Sequence, residues 1–80
     1  MTPDEVTGRH ELAAFLTDLL VQVEASPPTI PNSTLAEFLS GAAGWVEDLD
    51  GYFLNRGEPV PDQPTWSLVA AIFAAAAVYE

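Results

Sequence analysis

The side chains best suited to chemistry crowd into one stretch, Trp45–Trp66, WVEDLDGYFLNRGEPVPDQPTW, which holds both tryptophans and one of the two basic residues. Asp48, Asp50, Asn55 and Glu58 are oxygen donors that a hard cation accepts. A helix–loop–helix calcium site needs oxygen ligands at loop positions 1, 3 and 5, glycine at 6 and glutamate at 12. Counted from Asp48, Gly51 arrives at position 4 and Glu58 at position 11, so no metal site is expected. Acid–base catalysis needs a carboxylate whose pKa is raised by burial or a like charge. Glu47, Asp48 and Asp50 fall on the polar side of their helix, which predicts ordinary solvated acids. His10, the single histidine, stands between Arg9 and Glu11 with no nucleophile motif to serve. No catalytic, cofactor-binding or metal residue is therefore assigned, and the chain is expected not to be an enzyme.

What remains for these acids is electrostatics. The chain carries twelve acidic and two basic residues, no lysine and a net charge of −10. Such a surface repels nucleic-acid backbones and anionic membranes and attracts cations over about 8 Å at physiological salt. Glu47, Asp48, Asp50, Glu58 and Asp62 are the expected partner-binding residues, and the expected partner is a basic protein. Solubility alone also accounts for an acidic surface. Glycine-rich phosphate loops and basic stripes are missing.

These residues need a scaffold, and 80 residues allow one domain, 1–80. Cysteine is absent, which removes disulfides and thiolate sites and fits a cytoplasmic location. The start, MTPDEVTGRHE, lacks the basic patch and apolar run of an export signal.

Residues 1–6 read as a lead-in, with Thr7 as N-cap of a first helix to about Ala25. Leu12, Phe15, Leu16, Leu19, Leu20 and Val23 recur every three or four positions, the mark of one buried stripe. Ser26 to Pro31, with three prolines, stop that helix. Asn32, Ser33 and Thr34 are cap residues, and Thr34 with Glu37 makes a capping box. The second helix is expected over 33–52, burying Leu35, Phe38, Leu39, Ala42, Trp45, Val46 and Leu49. Gly41 and Gly44 fall on the opposite side of the wheel and read as exposed drift. Leu54 to Gln63 has turn chemistry and no period, a long proline-containing loop to be held down by the aromatic rings around it. From Thr65 to Tyr79 there is no charge. This run is too short for a membrane span of about 20 residues and reads as a central third helix. Its small strip, Ser67, Ala70, Ala71, Ala74, Ala75 and Val78, suits close approach of another helix or a homodimer seam.

The run Asn32–Leu39, the block from Trp45 to Trp66 and the terminal Val78, Tyr79 and Glu80 resemble a family of small acidic bacterial proteins catalogued as a domain of unknown function. The resemblance implies a free-standing cytoplasmic helical domain. It assigns no residue a role.

The sequence therefore predicts an all-α, compact three-helix domain, with Phe15, Phe38, Trp45 and Phe73 in the core and the third helix between the other two. Its expected function is a small acidic protein-interaction module, of inhibitor or immunity type, binding a basic partner. The alternative is a self-associating domain that dimerises through the alanine-rich helix.

Overall fold

The helix starts are set by local hydrogen bonds. The Glu37 N–H donates to Thr34 Oγ1 at 3.2 Å, and the Thr34 N–H donates back to Glu37 Oε1 at 3.2 Å. Thr65 caps the last helix by a single bond, its Oγ1 accepting from the Leu68 N–H at 3.0 Å. The computed structural model describes residues 1–79, so Glu80 and its part in the resemblance lie outside it. Among the described residues all regular structure is helical: a 3-10 turn at Pro3–Glu5, then α1 (Arg9–Glu24), α2 (Leu35–Glu47), α3 (Leu49–Arg56) and α4 (Trp66–Ala76).

Four helices replace the expected three because the second one breaks at Asp48. That residue takes φ −97° and ψ 19°, and its N–H is shared between the Gly44 and Trp45 carbonyls, both at 3.2 Å. Aspartate is a weak helix former, and one residue in the bridge region redirects the axis. Chain pairing then resumes, and α3 runs to Arg56. Gly57 closes it at φ +68°, the left-handed position that glycine fills without steric cost. The irregular loop is consequently shorter than expected, starting at Gly57 instead of Leu54. Its first residues are held by backbone bonds, from Gly57 to the Leu54 carbonyl and from Glu58 to the Phe53 carbonyl.

At the other end, α1 begins after Gly8, not Thr7, and no side chain caps it. Thr7 stays in linking backbone because the preceding Val6 is drawn into the core. Residues 1–6 are thus more than a lead-in. Val6 is 0% exposed, the largest fully buried side chain. Its carbonyl accepts from Ser67 Oγ at 2.8 Å. Thr2 and Glu5 form a second capping box around the 3-10 turn.

Helix α4 lies centrally, as predicted, packing against the N-terminal turn, α1 and α2. The core joins Val6, Phe15 and Ala70, with Leu12, Leu19, Phe73 and Ala74 against them. Ile30, Leu68, Ala71, Ala76 and Ala77 are also buried. Of the four aromatics expected in the core, only Phe15 is buried. Phe38 and Phe73 are half-buried, with ring centroids 6.0 Å apart, and Trp45 is half-buried against Tyr52. The cause is shape: the molecule measures 39 × 27 × 17 Å. Its short axis accommodates two layers of helices spaced about 8–10 Å apart, not a third, so outward apolar faces of α1 and α2 stay uncovered.

The glycines of α2 reverse the expected orientation of that helix. A β-carbon on Gly41 would meet the Ala76 carbonyl oxygen at 2.6 Å, and one on Gly44 would meet the Tyr79 ring at 2.8 Å. The glycine side therefore faces the end of α4, and it is not an exposed one. Leu35, Leu39 and Val46, expected inside, are 74%, 58% and 46% exposed.

Candidate functional site

The five predicted acids sit where α2 passes into α3 and along the following loop, and all five are exposed. They do not stand equally free. Asp48, at the break between the two helices, accepts a hydrogen bond from the Tyr79 hydroxyl, tying the chain end to the α2–α3 corner. Asp50, in the first turn of α3, accepts from the adjacent Gly51 N–H at 3.0 Å. Glu58 accepts from Arg56 Nε at 2.9 Å. Glu47 and Asp62 make no side-chain hydrogen bond among the described residues. No three Asp, Glu or His side chains among those residues gather closely enough to share a metal ion.

Arg56 ends α3, next to the loop that carries Glu58. It takes Glu58, and it also spans to Asp4, 52 positions away, with Nη2 at 3.1 and 3.3 Å from the two carboxylate oxygens. Its Nη1 donates to the Tyr52 hydroxyl at 2.7 Å, and its guanidinium carbon lies 5.1 Å from the Tyr52 ring centre. One cation thus joins the N-terminal turn, α3 and the loop. The Asp4 hydrogen bond, then that of Glu58, raises the Arg56 pKa above its ordinary value. Both partners are well exposed, so solvent screening keeps the contribution to stability small.

Two other groups shift for equally local reasons. Glu5 is held below the usual carboxylate range because it accepts from the Thr2 backbone N–H and hydroxyl. Tyr79 is raised, mainly because its hydroxyl donates to Asp48 and would have to give up that proton next to a carboxylate.

The aromatic residues divide. Trp45 meets Tyr52 edge-on, ring centres 5.0 Å apart, and Tyr52 meets Phe53 at 5.1 Å, so three rings in two edge-to-face contacts join α2 to α3. Trp66 starts α4 and lines an open recess of about 560 Å³ with Val6, Pro64 and Val69.

Two elements of this surface were hidden in the sequence. Tyr79 read as one more apolar position of the last helix, though it follows the end of α4 and reaches Asp48. The outward stripe Leu35, Leu39 and Val46 had a helical period that marks a face without saying which neighbour covers it.

Among the described residues no helix is long and apolar enough to cross a membrane. No curated protein and no solved structure matches the chain. A family model does match, over residues 8–80, and that span takes in all four helices, the α2–α3 corner and the loop. The chain belongs to the family of unknown function DUF7660.

Proposed function

We propose that this chain is a small acidic interaction module that binds a basic protein and acts by covering it, as an inhibitor or immunity-type protein does, without catalysis of its own. The observation that carries the reading is the fate of the positive charge. Of two arginines against twelve acids, Arg56 is paired with Asp4 and Glu58. Between His10 and Arg56 the sequence has no basic residue at all, so α2 and the start of α3 present only negative charge. A cationic partner is attracted to such a surface before contact, which raises its association rate. Compartment and partners follow from the same reading: a cytoplasmic protein that avoids nucleic acid and membranes.

Self-association through the alanine-rich helix is the second reading. The burial of Ala70 and Ala71 within the chain, with Ala74 packed against the core, leaves that strip little to offer another copy. A monomeric mass in solution would count against it.

The direct test is the association rate of the captured partner with the wild type and with a Glu47→Lys, Asp50→Lys, Asp62→Lys variant. Asp48 is left in place because Tyr79 holds it. A slower on-rate with flatter salt dependence at unchanged Tm supports the reading. An unchanged on-rate at low and high salt refutes it.

A further inference from the structure

We propose that the outward face of α2 is the docking strip for an amphipathic, cationic segment of the partner, one with apolar residues along one side and lysine or arginine at its edges. This rests on the basic-partner reading and names the surface and the shape of what it takes.

Leu35, Leu39 and Val46 fall within 40° of one another on a helical wheel at 100° per residue, and they are 74%, 58% and 46% exposed. Three large aliphatic residues in line on one 13-residue helix are not scattered surface apolarity. Contiguous exposed apolar patches mark contact sites. At its N-terminal end the strip opens into a recess of about 230 Å³ between the end of α1 and the start of α2, walled by Val23, Leu35 and Phe38. That is room for one bulky apolar side chain, the kind of anchor that dominates helix-in-groove recognition.

Charge selects the occupant. Glu24 follows Val23 at the recess and Glu47 flanks the strip at its C-terminal end, about 100° round the wheel from its centre, whereas Glu37 faces the other way; no cation lies on either α2 or the loop before it. A second copy would bring the same acids to the same edges. It would also meet a narrow strip: a 13-residue helix is about 20 Å long and about 10 Å wide, far below the roughly 800 Å² per side that a stable dimer needs. A slender cationic segment satisfies both constraints.

The probe is a synthetic helical peptide of leucine and lysine with its leucines on one face, compared with a counterpart carrying glutamate for lysine, by calorimetric titration. The wild type is expected to bind the lysine peptide and not the glutamate peptide. Leu39→Glu and, separately, Leu35→Glu are expected to weaken binding about tenfold or more, with unchanged helix content. Both variants add a negative charge, so binding by charge alone would be kept or tightened. If both bind the lysine peptide as tightly as the wild type, the α2 strip is overturned while the basic-partner reading stands. If the wild type binds neither peptide, or both alike, the basic-partner reading falls and the strip with it.

Discussion

The Cα of Gly41 lies so close to the Ala76 carbonyl that a β-carbon there would be 2.6 Å from its oxygen. This contact sets the distance between α2 and α4. The same β-carbon would come within 2.9 Å of Asn32 Nδ2, which donates to the carbonyls of Ala76 at 2.8 Å and Tyr79 at 2.7 Å. Gly41 makes the space in which Asn32 satisfies the end of α4.

Gly41→Ala is expected to destabilise the protein by about 1–3 kcal/mol through overpacking, against the roughly 1 kcal/mol that alanine gains over glycine inside a helix. Gly51, in α3, has nothing within 4 Å of its β-carbon position. Gly51→Ala should therefore stabilise, by up to about 1 kcal/mol. Urea unfolding of the two variants side by side checks the opposite signs.

Asn32 itself is a predicted cap that serves a different helix from the expected one. Its side chain bonds two carbonyls and its N–H donates to the Ala77 carbonyl at 2.9 Å, so it closes the last turn of α4 across the whole chain. Asn32→Ala should cost about 1–3 kcal/mol, the penalty of leaving buried partners unpaired. Amide exchange should quicken first in residues 74–79. Exchange that quickens uniformly, or a stability loss below about 0.5 kcal/mol, would assign that closure elsewhere.

The Tyr79 hydroxyl bond to Asp48 supplies a pH dependence with a definite sign. The folded pKa of Tyr79 is raised above 10.0, so the folded state holds this proton more tightly than the unfolded chain. The bond's contribution is fully present below the unfolded value, and it is lost as pH rises through the folded one. Ultraviolet titration of tyrosinate should show an ionisation step above pH 10 that is absent in Tyr79→Phe. Persistence of that step in the variant would detach the shift from Tyr79.

Arg56→Ala should leave the fold intact and shift the urea midpoint only slightly, because its carboxylate partners are exposed. The effect should be local, with faster proteolysis in the N-terminal turn, released from Asp4, and in the loop after Gly57. Global unfolding at room temperature would mean that the turn carrying Val6 cannot stay docked without this arginine.

Features that depend on neighbours a few residues apart can be read from the chain before it folds. The capping box of Thr34 with Glu37, the helical periods of α1, α2 and α4 and the proline stop after α1 were legible because each rests on bonds or sterics within one or two turns. The charge imbalance was legible by counting. Tertiary structure decided which side of α2 is inside. Leu35, Leu39 and Val46 share a period with Phe38 and Trp45, and hydropathy favours burying all of them. The close approach of the α4 end instead favours the side with no β-carbons, at Gly41 and Gly44. The same holds for Val6, Asn32 and the Arg56–Asp4 pair: their partners lie 44 to 61 positions away for Asn32, Arg56 and Val6. Distances of that kind are set by how helices stack, not by local propensity.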